Sequence, residues 1–265
     1  MNPLPQLPPA PTSLGERFPL PTSTLGARVD AARHLLRSLP TQTPVLAFSG
    51  GKDSTVLAHL CRSAGLRPQL IYHVTTIDPP EVVRFARAAG AWFDHPGSNY
   101  ARLIAVHGLP TMWRRWCCRI FKHGRTFADV TLLGVRAAES YRRRQSWKSE
   151  LQPTARGLLV LPLLFWEDTH VWQYINDNRL PLCELYAQGY ARVGCIGCPL
   201  VRGSRLRDFP RWPKFAAQVQ SGYAQMVERN HVPNPSDYWN RWINDQFTRP
   251  NHHAECTGVA LWANV

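Results

Sequence analysis

The stretch PVLAFSGGKDS, residues 44–54, decides the fold of this 265-residue chain. Its first five residues form a short apolar run, which is typical of a strand buried in a parallel sheet. The segment from Ser49 to Asp53 predicts a turn, and the pattern from Ser54 to Ser63 predicts a helix. Because a strand enters a helix through a glycine-rich turn here, the stretch predicts an α/β fold.

The turn has the composition of an anion-binding loop. Two adjacent glycines let the backbone approach a phosphate, at the positive end of the following helix. Two serines supply hydroxyl groups and a lysine supplies a cation, while Asp53 fits a Mg²⁺ contact or a helix cap. A plain strand-to-helix turn is the alternative, and the complete hexapeptide favours phosphate binding. The predicted nucleotide-binding residues are Ser49, Gly50, Gly51, Lys52, Asp53 and Ser54.

Strands and helices continue to alternate after this unit, which predicts a doubly wound parallel sheet of the Rossmann-like kind. In such sheets the ligand lies beyond the carboxyl ends of the strands. The loops after Phe48, Val74 and Val135 are therefore expected to meet at one site. Further strands are predicted over 69–74, 91–94, 130–135 and 158–163, and helices over 80–89, 101–107 and 166–178.

The chain is predicted to have three parts. Residues 1–24 are rich in proline and lack periodicity, so a disordered tail is expected there. Residues 25–199 are predicted to form the nucleotide-binding domain. Residues 200–265 are predicted to form a C-terminal helical extension, with helices over 210–230 and 236–247.

The charge balance predicts an anionic partner. The chain has 31 Lys and Arg residues against 18 Asp and Glu, a net charge of +13. This excess fits a nucleotide, a nucleic acid or both. The first residues do not resemble a signal peptide and no stretch is apolar enough to span a bilayer, so a soluble, cytoplasmic protein without a membrane partner is expected. The sequence is also compatible with a homo-oligomer.

The cysteines form two short motifs. Cys117 and Cys118 are adjacent, and Cys195 and Cys198 form a C-x-x-C. Four thiolates suit either a [4Fe–4S] cluster or a structural zinc ion. The side chains of adjacent cysteines diverge, so the spacing favours a cluster over one zinc ion. Two buried core thiols are the alternative for the adjacent pair alone.

Together these motifs resemble the phosphoadenosine phosphosulfate (PAPS) reductase family, part of the PP-loop or adenine nucleotide α-hydrolase-like superfamily. The resemblance runs from about residue 44 to residue 199. It implies adenine nucleotide binding that includes Arg136 and, in members with all four cysteines, a [4Fe–4S] cluster. The motifs are the loop at 49–54, Pro79-Pro80-Glu81, Arg115-Trp116-Cys117-Cys118 with Lys122, the segment Gly134 to Ser140, and Cys195 to Cys198.

Two departures from this family bear on the reaction. Sulfonucleotide reductases usually carry a degenerate loop, whereas this loop is complete. A complete loop is similar to that of relatives which cleave ATP, such as sulfate adenylyltransferase subunits, tRNA-thiolating enzymes and DNA phosphorothioation proteins. The reductases also have a mobile C-terminal Glu-Cys-Gly nucleophile, which Glu255-Cys256-Thr257 matches only in part.

Three functions follow as expectations. The first is ATP-dependent adenylation with Mg²⁺, followed by sulfur transfer from a cysteine-desulfurase donor to an acceptor, for which nucleic acid is one candidate. Lys52, Lys122 and Arg136 would neutralise the charge of the phosphates. The second is reduction of PAPS or adenylyl sulfate to sulfite, where Cys256 attacks sulfur and a thioredoxin-like reductant completes the reaction. The third is a non-enzymatic nucleic-acid-binding protein with a structural zinc ion.

Overall fold

The computed structural model describes residues 24–122 and 128–247, apart from the side chain of Arg142. Its centre is a six-stranded sheet with the order β3-β2-β1-β4-β6-β5. Neighbouring strands are parallel, except that β5 runs antiparallel to β6. The strands are β1 (Val45–Ala47), β2 (Gln69–His73), β3 (Trp92–Asp94), β4 (Val130–Leu133), β5 (Leu151–Thr154) and β6 (Gly157–Val160).

Helices connect these strands and extend beyond them. The helices between strands are α1 (Leu25–Arg37, before β1), α2 (Lys52–Ser63), α3 (Pro80–Ala88), α4 (Tyr100–His107), α5 (Trp116–Phe121) and α6 (Tyr141–Ser146), with a 3₁₀ turn at Ala137–Glu139. After β6 come α7 (Asp168–Asp177), α8 (Ser204–Arg211), α9 (Pro213–Asn230) and α10 (Pro235–Ile243). No helix in the described ranges is long and apolar enough to cross a membrane.

The strand order reverses beside β1, which positions the site. Val45 of β1 is in register with Gln69 of β2 on one side and with Thr131 of β4 on the other. The chain therefore moves outward to β3, then returns to the opposite side of β1. Loops that follow β1 and β4 lie on either side of this switch point, where α/β sheets bind ligands.

The predicted doubly wound sheet is confirmed, although the short helices α5 and α6 were not predicted. The sequence did not predict β5, an edge strand that contains Pro153. Proline lacks a backbone N–H, so an edge position tolerates it and a central one does not. The helix predicted over 210–230 is two helices that meet at Trp212, because Pro213 begins α9 and α8 already starts at Ser204.

The C-terminal helices pack onto the nucleotide-binding domain. A Cβ atom on Gly222 of α9 would lie 2.4 Å from the carbonyl oxygen of Ala101 in α4, so only glycine permits this approach. Trp242 of α10 is buried, and its indole N–H donates to the carbonyl of Pro110 over 2.8 Å. The predicted domain boundaries stay predictions, and the predicted N-terminal tail lies almost wholly outside the described residues.

Candidate active site

The loop between β1 and α2 is held by its own hydrogen bonds. Ser54 Oγ donates to the carbonyl of Gly51 over 2.9 Å and accepts the N–H of Ser49 over 3.3 Å. Gly50 has a φ of +71°, and a Cβ there would lie 2.9 Å from Cγ1 of Val82. The backbone therefore requires glycine at this position, both for its conformation and for space.

Four charged side chains form a closed network beside this loop. Lys52 Nζ lies 3.2 Å from Oδ2 of Asp53 and 3.1 Å from Oδ1 of Asp168. Arg136 donates through Nε to Asp53 and through Nη2 to Asp168, the latter over 2.7 Å. Two cations thus face two carboxylates, and the formal charge of the network is zero.

A glycine brings Arg136 close to the loop. A Cβ on Gly134, which follows β4, would lie 3.1 Å from the backbone nitrogen of Ser54. Two residues later the Arg136 side chain is buried, with 3% of its surface exposed. Its backbone N–H donates to Oε2 of Glu139 over 3.0 Å, and Glu139 also pairs with Arg143. The loops after β1 and β4 therefore meet as expected.

Sequence reasoning did not identify Asp168 as a site residue. Burial raises the pKa of this carboxyl group, but hydrogen bonds and charge from Lys52 and Arg136 outweigh that effect and leave the pKa below its ordinary value. The indole N–H of Trp172 donates to the other carboxylate oxygen over 3.1 Å. The available signal was an acidic residue in the first turn of the helix that follows β6.

The two cysteine motifs meet at one cavity. All four predicted ligands line this cavity, together with Lys122 and Thr75. Among the described residues, however, no group of three or more His, Cys, Asp or Glu side chains is arranged to hold a single metal ion. The cysteine cavity is defined by Thr75, Tyr100, Cys117, Cys118, Phe121, Lys122, Cys195, Cys198 and Pro199.

Helix α8 fixes the C-x-x-C loop. Gly197 has a φ of +62°, and a Cβ there would lie 2.7 Å from the ring of Phe209. Its N–H donates to Oδ2 of the buried Asp208 over 3.0 Å. Ser204 Oγ donates to the carbonyl of Cys198 over 2.8 Å. The C-terminal extension therefore shapes the cysteine cavity.

The thiols of the cavity differ strongly in acidity. A hydrogen bond from Cys117 lowers the pKa of Cys118 to about 6, despite burial, and Lys122, Arg115 and Arg192 lower it further. The same hydrogen bond raises the pKa of Cys117, which donates it. Burial raises the pKa of Cys195 to about 11. One thiolate is therefore favoured at neutral pH before any metal binds.

Lys122 lies among the cysteines. The negative charge of Cys195 raises its pKa, although burial acts in the opposite direction, and Asp78 raises it further. Its predicted role in neutralising phosphate charge stays a prediction.

The loop at residues 49–54, called the phosphate loop after its predicted role, lies at the same edge of the sheet as the cysteine cavity. Cγ2 of Val193 is 3.6 Å from the position of a Cβ on Gly51, and Val193 is two residues before Cys195. Tyr186 accepts the backbone N–H of Lys52 through its hydroxyl over 2.9 Å. The segment between α7 and α8 therefore contacts the phosphate loop and also lines the cysteine cavity.

Cys256 lies outside the described residues.

Comparison with known proteins decides the family. A family model described as phosphoadenosine phosphosulfate reductase domain matches residues 43–201, which is more than half of the chain. The chain belongs to this family. Its members are generally enzymes that bind adenine nucleotides.

Individual relatives are distant. An uncharacterized protein of Methanocaldococcus jannaschii is 26% identical over 192 residues, which cover 64% of this chain and 40% of that protein. The adenosine 5′-phosphosulfate reductase of Allochromatium vinosum is 27% identical over 204 residues, covering 68% of this chain and 77% of that enzyme. The chain thus spans less than half the length of the archaeal relatives that it matches.

Among solved structures, the phosphoadenylyl-sulfate reductase of Candida auris, in a phosphate complex, superposes with a TM-score of 0.48 at 17% identity. The superposition covers 67% of this chain and 97% of that one.

Proposed function

We propose that this protein uses ATP to adenylate an acceptor and then replaces the adenylate with sulfur, with ATP on the phosphate loop and a [4Fe–4S] cluster in the cysteine cavity. An acceptor oxygen attacks the α phosphorus, and pyrophosphate leaves. A sulfide, supplied by a cysteine-desulfurase-type donor with a thiol reductant, then displaces AMP together with that oxygen. The observation that carries the proposal is a complete phosphate loop beside a cavity lined by four cysteines.

The charge network supports a polyphosphate ligand. Lys52 and Arg136 are both buried and lie at the carboxyl edge of the sheet, at the N-terminus of α2. A polyphosphate on the loop competes with Asp53 and Asp168 for these two cations. A Mg²⁺ ion that accompanies ATP would relieve this competition, because carboxylates are its preferred protein ligands.

The donor set supports a cluster better than one zinc ion. Four thiols line one cavity together with Lys122. A cluster is larger than an ion and takes each thiolate at a separate iron. The cluster would be held by Cys117, Cys118, Cys195 and Cys198. When bound, it would supply iron that binds the sulfur to be transferred. Lys122 and Cys118 already place a cation beside a favoured thiolate.

The test measures nucleotide binding, metal content and pyrophosphate release with anaerobically purified full-length protein. We expect ATP with Mg²⁺ to bind, iron and sulfide to be present in a ratio near one to one, and pyrophosphate to be released with a competent acceptor. Lys52→Met should abolish ATP binding. The control variant Arg67→Met replaces an exposed arginine and should leave ATP binding unchanged. Tighter binding of adenylyl sulfate than of ATP would contradict adenylation, and zinc without iron would contradict the cluster.

A second function is favoured by one finding, the similarity to an adenosine 5′-phosphosulfate reductase over 77% of that enzyme's length. In this reaction the Cys256 thiolate attacks the sulfate sulfur of the nucleotide, and a thioredoxin-like reductant releases sulfite. The variant Cys256→Ser should then lose all sulfite production. Unchanged sulfite production by this variant would exclude the mechanism.

A further inference from the structure

One contact at the phosphate loop is made by a side chain that lies 134 residues further along the chain. Tyr186, in the segment between α7 and α8, accepts the backbone N–H of Lys52 through its hydroxyl oxygen over 2.9 Å. Lys52 is the first residue of α2, and the first N–H groups of a helix have no acceptor within that helix. The hydroxyl oxygen also lies 3.7 Å from the position of a Cβ on Gly51. The phenol therefore reaches into the loop at the N-terminus of α2, where anions bind.

The ring of Tyr186 is held in place by residues that support the charge network. It packs edge-on against Trp172 of α7, with the ring centroids 5.5 Å apart and an interplanar angle of 88°. The indole N–H of Trp172 donates to Asp168, whose other carboxylate oxygen lies 3.1 Å from Nζ of Lys52. The backbone N–H of Tyr186 donates to the carbonyl of Cys183 over 3.0 Å. The position of the hydroxyl group is thus set by packing as well as by its bond to Lys52.

The hydroxyl group of Tyr186 has a proton to donate. Its oxygen accepts the N–H of Lys52, and within residues 24–122 and 128–247 its own proton has no hydrogen-bond acceptor. Burial raises the pKa of Tyr186 to about 12, although the backbone N–H groups of Lys52 and Val193 act in the opposite direction. The hydroxyl group therefore keeps its proton at neutral pH. An oxygen of an anion bound on the loop would supply the acceptor that this donor lacks.

We propose that Tyr186 is a further phosphate-binding residue, whose hydroxyl group donates its proton to an oxygen of the β or γ phosphate of ATP while it keeps the N–H of Lys52. A hydrogen bond to a charged oxygen is stronger than one between neutral groups. This inference rests on the proposed function and deepens it. Negative charge increases on the pyrophosphate as it leaves, so the bond strengthens during the reaction. Nucleotide binding thereby extends to the segment that leads to the C-x-x-C motif.

The alternative is that the hydroxyl group occupies the place of a phosphate oxygen, since a phosphate oxygen could accept the same N–H of Lys52. Tyr186 would then compete with the nucleotide, and removal of its hydroxyl group would strengthen nucleotide binding. The two possibilities predict opposite signs for one substitution.

The experiment measures binding to anaerobic full-length protein with Mg²⁺ by calorimetry. The probes are inorganic pyrophosphate, AMP, adenylyl sulfate and AMPCPP, an ATP analogue with a methylene bridge. Tyr186→Phe removes the hydroxyl group and keeps the ring against Trp172. We expect this variant to bind pyrophosphate and AMPCPP about tenfold more weakly and AMP unchanged. The matched control is Tyr190→Phe in the same segment, whose hydroxyl group lies 3.5 Å from Asp208 and which should bind every probe as the unmodified protein does.

Binding of inorganic pyrophosphate decides the inference. Unchanged or tighter pyrophosphate binding by Tyr186→Phe would overturn it, and so would the absence of pyrophosphate binding by the unmodified protein. Equal weakening of AMP and AMPCPP would overturn it as well, because the phenol would then only support the shape of the site. Tighter binding of adenylyl sulfate than of AMPCPP would instead contradict the proposed function and leave the pyrophosphate result standing, so the two failures are distinguishable.

Discussion

The phosphate loop and the cysteine cavity share one edge of the sheet but differ in how their charges are compensated. Beside the loop, Lys52 and Arg136 each contact two carboxylates. Beside the cavity, Arg115 and Arg192 have no carboxylate partner among the residues that the structure describes. The first region is therefore held together by its own carboxylates, whereas in the second region Arg115 and Arg192 act on the thiol of Cys118. The same kind of substitution should therefore lower stability strongly in the first region and hardly at all in the second.

Replacing an arginine by methionine in each region tests this difference most strongly. Arg136→Met leaves Asp53 with Lys52 as its remaining cation in a buried network, and we expect the free energy of unfolding to fall by about 3 kcal/mol. Arg115→Met removes a charge that has no carboxylate partner in the described ranges, so its effect should stay within about 0.5 kcal/mol. Urea denaturation of the ligand-free protein measures both. Equal losses in the two variants would refute the contrast.

The cysteine cavity also depends on the C-terminal helices, through Gly222. Because Gly222 lies against the backbone of Ala101, Gly222→Val should separate α9 from α4 and lower the free energy of unfolding by about 1–3 kcal/mol. Tyr100 lies next to Ala101 and lines the cavity, so the thiols should become more accessible to alkylation.

The matched control for this variant is Ser221→Ala, at an exposed neighbouring position. AMPCPP affinity should stay unchanged in both variants, because the phosphate loop rests on the sheet. A loss of nucleotide affinity in Gly222→Val, with unaltered thiols, would show that the extension supports the other region.

The sequence predicted the backbone of the strand–turn–helix unit well because its elements are contiguous. Strand, glycine turn and helix follow one another within residues 45–63, so local backbone preferences specify them. The two cysteine motifs were recognisable for the same reason, each being short. Their arrangement around one cavity also follows from long-range contacts, such as the N–H of Ile196 donating to the carbonyl of Ile77 over 2.9 Å.

The missed features depend on tertiary context. Asp168 acts on Lys52 and Arg136 only because β6 lies next to β4, and neither strand pairing nor register was visible in its local sequence. Likewise, β5 carries Pro153, which argues against a strand until an edge position is known. The break between α8 and α9 was the exception, because Pro213 marks a helix start locally.

A smaller effect concerns Cys118. In metal-free protein its alkylation rate should reach half of its maximum near pH 6, since the hydrogen bond from Cys117 and the nearby cations lower its pKa to about 6. At pH 7 we expect a thiolate fraction about thirty times that of an ordinary thiol, whose pKa is about 8.5. Buried Cys61, whose pKa burial raises to about 12, should not react.

Mass spectrometry of alkylated peptides between pH 5 and pH 9 follows each cysteine separately. Arg115→Met should move the Cys118 midpoint to higher pH, and Arg119→Met should leave it in place. An unmoved midpoint in Arg115→Met would show that the charge of Arg115 does not act on the thiol.

The smallest expected effect is that of Asp168→Asn, which removes one carboxylate from the balanced network. The Asp168 side chain is 59% exposed, so solvent screens its ion pairs and we expect a loss of roughly 0.5–1 kcal/mol near pH 7. Because the folded protein lowers its pKa, this contribution is present above the ordinary carboxyl pKa and is lost as the pH falls through the folded value. The difference between variant and unmodified protein should therefore be constant from pH 7 to pH 5 and shrink below pH 4. Asp177→Asn, at the exposed far end of α7, should show no such dependence, and a pH-independent difference for Asp168→Asn would mean that its ion pairs do not contribute.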